Sequence, residues 1–378
     1  MEVDVMPASI RELTTKRDIR RFVELPWSLY REDPCWVPPL KSEMWNIVTG
    51  KGNPLLQHGP HALFLAERGQ QAVGRVMACI DQHLNAIRGR GWGYFSLFES
   101  CDLPAAFRLL ETCEEWLRER GCRVCRGPVS PDNSDGYRGL LVDGFAIPPA
   151  LLESYNPPHY ADFIESCGYR GDGDDRLSYH HQIPQRIPEE ILTAVQYACT
   201  RWGFRVDRAD LKELDTELEA LHSIMDAAMP EWPDMVPPSM EELRLMARQL
   251  LPIADADFIY VARTNDGEPI GFLLGLPDYN QVLKHLNGTL FPLGWAKLLW
   301  YRRKIDAVRV FVLFVVPSWQ KRAVTHAMFL ELARACHRRG IRLVTGSTIV
   351  ASNAPMNAVA KGVGGQLHKR YRTYEKPL

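Results

Sequence analysis

Residues 308–340, VRVFVLFVVPSWQKRAVTHAMFLELARACHRRG, constrain the fold more than any other stretch of the chain. The run from Val308 to Val316, apolar but for Arg309, is too short to span a bilayer and stops at Pro317, so it reads as a buried strand. After a polar turn, Val324, Met328, Leu332 and Cys336 recur at helical spacing, Arg338 and Arg339 fall in the last turn, and Gly340 ends it. A strand, turn and helix in this order leave backbone N–H groups open at the helix N-terminus, where an anion such as a phosphate can bind.

That unit belongs to an order of elements that occurs twice. In the first half a helix is expected over 10–32, starting near Thr14 and Thr15 with Ile19, Phe22 and Val23 on one side. ALFLAE and AVGRVMACID, joined by a turn at 68–71, read as a hairpin, and 92–99 as a third strand. Pro104 opens a helix with Ala106, Leu110, Cys113 and Leu117 on one face; it stops at Gly121, before a strand at 123–128. A proline-bearing linker near 182–190 separates the halves. The second half then runs helices at 211–229 and 240–251, a hairpin of FIYVAR and PIGFLLGL about 265–268, and the strand and helix described above. A strand at LVTGSTI, a short helix from Asn353 to Ala360 and a closing strand over 366–375 complete it. The expected fold class is α/β (α+β): two tandem domains, 1–182 and 183–378, each a mixed β-sheet flanked by helices.

With 378 residues, 46% of them hydrophobic, the chain can fill two such cores. Nine scattered cysteines read as reduced core residues. Cys122 and Cys125 form a C-x-x-C with no second pair at zinc spacing, so no metal is expected. The start, MEVDVMPASI, has acidic residues and no positively led apolar segment, which gives the cytoplasm as the expected location. A net charge of −1 gives no global attraction to nucleic acid.

Val315-Val316-Pro317-Ser318-Trp319-Gln320-Lys321-Arg322-Ala323-Val324-Thr325, preceded by a hairpin and followed by a strand and Asn353, resembles the V-x-P-x-x-Q/R-x-x-G-x-G/A turn of the GNAT acyltransferase superfamily. GPVSPDNSDGYRGLLVDGFAIPP, SYNPPHY and LPWSLYREDPCWVPPL in the first half look like the tandem-GNAT family of bacterial proteins. The resemblance implies a splayed sheet in each domain, with a thioester donor lying in the V between two parallel strands and its phosphates on the turn. The donor, acyl-CoA or a carrier-protein phosphopantetheine thioester, would meet Phe314, Val315 and Val316, then Gln320, Lys321, Arg322, Ala323, Val324 and Thr325, with Asn353 nearby; no permanently bound cofactor is implied.

Ala323 and Thr325 stand where the motif has glycine or another small residue, which narrows the approach to a pyrophosphate. Three readings follow: Lys321, Arg322 and the Thr325 hydroxyl hold the phosphates; the donor is a carrier-bound phosphopantetheine with one phosphodiester; or the turn binds nothing. The first half has the acidic sequence 97–102 at this place, so donor binding is assigned to the second half.

The resemblance also implies direct attack of an amine on the thioester, which needs a backbone N–H at the carbonyl oxygen, a base and an acid. Glu99, closing GYFSLFE, is either a desolvated base or a strand-end charge. His83 follows the first hairpin, and histidine titrates near neutrality. Asp278 and Tyr279, followed by Asn280, end the second hairpin as substrate contacts or as a plain turn. Tyr155, Asn156, His159 and Tyr160 in SYNPPHY either line the acceptor pocket or form a rigid connector. Asn353 can cap the helix that follows it, and Tyr371 and Tyr374 are weak substitutes for the usual tyrosine acid.

An insertion over 281–307 holds Trp295, Leu298, Leu299 and Trp300 with Lys297, Arg302, Arg303 and Lys304. It suits docking on an acidic acyl carrier protein or a membrane surface, or roofing of its own domain. The reading as a whole is an N-acyltransferase acting on a small-molecule amine or amino lipid, with oligomeric state open. An aminoacyl-tRNA-dependent transferase and a non-catalytic binding module with this fold are the alternatives, and the near-neutral charge argues against the first.

Overall fold

The computed structural model describes residues 8–51, 56, 59–130, 137–229 and 236–378; part of the GPVSPDNSDGYRG run, 131–136, lies outside them. The first sheet takes β1 (Ser9–Glu12), β2 (His61–Arg68), β3 (Gln71–Cys79), β4 (Trp92–Ser100) and β5 (Val124–Gly127) in order. The second contains β6 (Leu140–Asp143), β8 (Arg176–Gln182), β9 (Phe204–Arg208), β10 (Ile259–Thr264), β11 (Pro269–Pro277), β12 (Ala307–Val315), β13 (Leu343–Thr345) and β15 (Gln366–Arg372). Its strand order is β6-β15-β8-β13-β12-β11-β10-β9, and β14 (Ile349–Val350) pairs with β8.

The two sheets exchange strands. The last strand, β16 (Tyr374–Pro377), leaves the second half and inserts in the first sheet between β5 and β7 (Arg170–Gly171). In return β6 and β8, which precede residue 183, lie in the second sheet. A division at 182/183 therefore passes between sheets that share strands, and the closing strand expected over 366–375 is split between them.

In each sheet the parallel pair sits beside the hairpin: β4 with β5 over Trp92–Tyr94, and β12 with β13 over Ala307–Arg309. Each hairpin is covered by one long amphipathic helix, Leu103–Arg118 in the first half and Val324–Arg339 in the second. Gly74 on β3 and Gly271 on β11 hold equivalent places beneath these helices. A Cβ on Gly74 would stand 2.7 Å from Leu109, and one on Gly271 3.2 Å from Val324. Both glycines thus let a helix lie close on its sheet. The second helix buries Val324, Met328, Leu330 and Leu332 among its apolar side chains, each worth about 1.5–3 kcal/mol when fully removed from water.

Four local expectations change. Residues 9–12 pair along β2 as an edge strand, and the first helix is Lys16–Leu29, begun by Thr15 accepting from the Asp18 N–H at 3.2 Å. The helix Glu189–Trp202 and β9 add a helix and an edge strand to the second half beyond those expected. LVTGSTI is broken into β13 and β14. The insertion forms two short helices, Asn280–Leu286 and Gly294–Tyr301. All nine cysteines are unpaired, and among the described residues no helix is long and apolar enough to cross a membrane.

Candidate active site

Past Arg309 and Thr345 the parallel strands of the second sheet separate. Gly346 turns away and donates its N–H to the Tyr179 carbonyl on β8 at 2.8 Å, so nothing from β13 follows β12. A bulge at Phe311, extra between the Leu274–Val312 and Gly275–Val310 pairs, bends β12 at the start of this gap. The gap opens into a cavity of about 990 Å³.

Along one wall of the cavity run Val310, Phe311, Val312, Leu313, Phe314 and Val315, and along another Val344 and Gly346 to Val350. At one end lies the turn Gln320, Lys321, Ala323, Val324 and Thr325. Lys321 and Ala323 both have φ of 63°, the left-handed region that a glycine would enter freely. The turn therefore holds two residues other than glycine in the conformation that favours glycine. Ala323 begins the helix Val324–Arg339 with no side-chain cap, and the first-turn N–H groups, which have no acceptor within a helix, open where an anion would sit.

The expected donor residues divide. Phe314, Val315, Gln320, Lys321, Ala323, Val324, Thr325 and Asn353 all line the cavity. Val316 and Arg322 do not. The Val316 N–H is bonded to the Ile270 carbonyl at 3.0 Å, and the Arg322 guanidinium lies over Trp202 and Trp319 at 4.8 and 4.9 Å. Asn353 also caps the helix Ala354–Gly362 through the Met356 N–H, as its position suggests.

Of the four expected catalytic residues only His83 reaches this cavity, from the first half, together with Asp81 and Arg138. Glu99 is buried in the other half, its carboxylate taking hydrogen bonds from Tyr30 (2.7 Å) and Tyr160 (2.9 Å) and lying 3.5 Å from Arg75. Burial pushes its pKa up, against the pull of Arg75 and the two phenols. Asp278 is a connector: it accepts from the N–H groups of Leu151 (2.9 Å) and Asn280 (3.1 Å), and burial raises its pKa to about 7. Tyr279 only begins the helix Asn280–Leu286.

SYNPPHY is likewise used in structure. Asn156 pairs with both backbone groups of Leu141, Tyr155 donates to Asp33 (2.8 Å), Tyr160 holds Glu99, and His159 packs on Tyr160 and Phe163. None of the four lines the large cavity. Tyr371 and Tyr374 are buried, the latter donating to Glu165 at 3.1 Å.

The second sheet instead grips the first half by the loop that precedes SYNPPHY. Buried Arg309 donates to the Leu151 carbonyl, Asn280 to the carbonyls of Pro149 (2.9 Å) and Ala150 (2.8 Å), and buried Lys369 to that of Ile147 (2.6 Å). Glu153 on the same loop accepts from Ser178 (2.6 Å) and stands 3.6 Å from His368. Burial would raise its pKa, but His368, Arg309 and Lys369 outweigh that and hold it at about 2.

This buried cluster leads to residues that the sequence reading passed over. Ser178 Oγ is 3.0 Å from His368 Nε2, and the His368 ring lies 4.9 Å from that of His180, which lines the cavity beside Tyr179, His181 and Arg176. His180 pairs with Thr345, the last residue of β13 that still meets β12, so it stands level with the vertex of the V. The available signal was two adjacent histidines near the end of the strand RLSYHHQ.

No protein-family model matches the chain. It is 32% identical to Protein YghO of Escherichia coli (strain K12), over 98% of this chain and 95% of that protein. It is also 32% identical to the bacterial ceramide synthase of Caulobacter vibrioides (strain NA1000 / CB15N), over 98% of this chain and 97% of that one. Among solved structures it is similar to a tandem GNAT protein from the clavulanic acid biosynthesis pathway, with a TM-score of 0.57, 12% identity and 98% of both chains covered. At that identity the likeness shows a shared fold, the tandem GNAT fold.

Proposed function

We propose, for a chain that belongs to the family of the E. coli protein YghO and the C. vibrioides bacterial ceramide synthase, that it is an acyltransferase moving a fatty acyl group from coenzyme A to the amine of a long-chain amino lipid. The observation that carries this reading is the cavity of about 990 Å³, lined both by an uncapped helix N-terminus and by apolar side chains of β12 and the neighbouring helices. Its volume lies at the top of the range usual for ligands of drug size, about 300–1,000 Å³. An acetyl group needs a small fraction of that. Met225, Met246, Phe311 and Phe329 give it surfaces suited to aliphatic chains.

In this reading the donor pyrophosphate takes the N–H groups at Val324 and Thr325, with Lys321 beside it. The pantetheine arm runs along β12 in place of the missing strand. The thioester carbonyl lies near the bulge at Phe311, where a backbone N–H stabilises its developing negative charge. The amine enters from the side of His83 and Arg138. Its nitrogen forms the C–N bond, the C–S bond breaks, the amine proton passes to His180, and the thiolate leaves to be protonated as free coenzyme A. His180 is assigned the base because it stands at the vertex of the V, with its ring packed on His368.

The left-handed backbone of Lys321 and Ala323, the conformation glycine enters freely, supports coenzyme A over a carrier-bound phosphopantetheine with its lone phosphodiester. Incubating the purified protein with acyl donors of increasing chain length and with short and long-chain amines, and identifying amides by mass spectrometry, tests the reading. N-acylated long-chain amine with release of coenzyme A is expected. Product from short amines only, or from carrier-bound donors only, contradicts it.

A further inference from the structure

The segment 279–305 lies between Asp278 and Asp306 and contains no acidic residue, while it holds Lys284, Lys297, Arg302, Arg303 and Lys304, in a chain of net charge −1. It also carries the largest group of exposed apolar side chains in one stretch of the described residues: Phe291 is 86% exposed, Leu293 69%, Trp300 61%, Trp295 55% and Leu299 41%. Such side chains standing singly on a surface need no explanation, but five within ten residues do.

The base of this segment is fixed. Val282, Leu286 and Gly294 are buried, Trp27 donates to the Asn287 side chain at 3.0 Å, and the Lys41 N–H to the Gly288 carbonyl at 2.9 Å. A Cβ on Gly288 would stand 2.4 Å from the Trp27 ring, so first and second halves meet closely here. The Tyr301 and His285 rings stack at 3.7 Å, and Lys297 donates to the His285 carbonyl at 3.3 Å. The apolar tips are therefore presented outward by a braced platform.

We infer that residues 291–304 seat the protein on the surface of an anionic lipid bilayer, with Phe291, Leu293, Trp295 and Trp300 entering the headgroup and acyl boundary and Arg302, Arg303 and Lys304 meeting lipid phosphates. Two features of this surface select a bilayer over an acidic protein. The side chains that protrude furthest are large aromatic and aliphatic groups, of the kind that sit at a membrane interface. Lys304 lies over the Trp300 and Tyr301 rings at 5.2 and 5.4 Å, which places cation and aromatic together at one level, as an interface of headgroups over acyl chains requires. The inference accords with a lipid acceptor but rests on this surface alone.

Full-length protein should sediment with vesicles of phosphatidylcholine mixed with phosphatidylglycerol and much less with phosphatidylcholine alone, and added salt should weaken the binding. Replacing Arg302, Arg303 and Lys304 by Gln should weaken it about fivefold for each charge. Replacing Phe291, Trp295 and Trp300 by Ser should abolish it while leaving the thermal melt and acyl transfer to detergent-dispersed amine unchanged. No sedimentation with anionic vesicles, undiminished binding by the triple Ser variant, or binding to an acyl carrier protein in place of vesicles overturns the inference. Vesicle binding by a protein that transfers no acyl group would instead fault the proposed function and leave this inference standing.

Discussion

The helices that begin at Leu103 and Val324 follow equivalent strands, yet one start is closed and the other open. In the first half Asp102 caps the helix by accepting from the Ala105 N–H at 3.0 Å, and Arg68 holds that carboxylate at 2.6 and 2.9 Å. Its own anion fills the place where a phosphate would bind. The V beside it is also shut, because Val129 stays on β4, its N–H bonded to the Phe95 carbonyl (3.0 Å) and its carbonyl to the Ser96 hydroxyl (2.5 Å). In the second half no side chain caps the helix, and β13 departs from β12.

The pairing below the helices differs in the same sense. Arg75 faces Glu99 across β3 and β4, at the register where Phe272 faces Phe314 across β11 and β12. One copy of the repeat places an ion pair held by two tyrosines at this register, and the other places two phenylalanines there. A duplicated fold can thus keep its topology while a few side chains make its two copies chemically different.

The largest effect expected from this contrast is on the reaction. His180→Gln should lower kcat by about a hundredfold or more, with KM for the donor little changed. Glu99→Gln, in the closed half, should lower the melting temperature and leave kcat within a few fold. Steady-state kinetics across pH would separate them, and the reverse pattern would return the chemistry to the first half.

The clasp between the halves gives the next effect. Asp278 holds its proton in the folded protein up to about pH 7 and in the unfolded chain only to near its ordinary 3.8. The folded state thus binds more protons in that window, and Asp278 costs stability as pH rises through it. Three pKa units at about 1.4 kcal/mol each set an upper bound of about 4 kcal/mol. Asp278→Asn keeps an acceptor for Leu151 and should flatten the fall in urea-unfolding free energy between about pH 4 and about pH 7. Glu153, held at about 2 from an ordinary 4.5, runs the other way: its contribution is present above 4.5 and lost as pH falls towards 2.

The smaller effects lie at the two helix starts. Asp102→Ala should cost about 1 kcal/mol of stability, the usual worth of an N-cap, without creating a second donor site, since Val129 still closes the V. Ala323→Gly relieves a left-handed alanine and should stabilise the protein by up to about 1 kcal/mol, with coenzyme A binding kept or improved. Thermal unfolding monitored by circular dichroism measures both.

The repeat, both hairpins and the strand–turn–helix from Val308 to Gly340 were legible because each has a local signal: a polar turn, an apolar period, a glycine stop. The acid at 102 was legible for the same reason, and the structure uses it as the helix cap. Strand exchange was not, since nothing in the short run Tyr374–Pro377 says which sheet will take it. SIRE at 9–12 looked helical because an edge strand facing solvent carries little apolar pattern. Asp278 looked catalytic and Asn280 a substrate contact because residue type alone cannot show that a backbone partner more than a hundred residues away, at 149–151, already satisfies both. His180 escaped notice because its place at the vertex of the V depends on Thr345 and His368, brought beside it only by sheet pairing.

Calorimetric titration of coenzyme A tests the central claim, that only the open helix start binds the donor. The account predicts one site per chain, unchanged by Asp102→Ala and weakened about a hundredfold by Ala323→Asp, which sets a carboxylate where the pyrophosphate would meet the helix dipole. Two sites per chain, or a single site insensitive to Ala323→Asp, would contradict it.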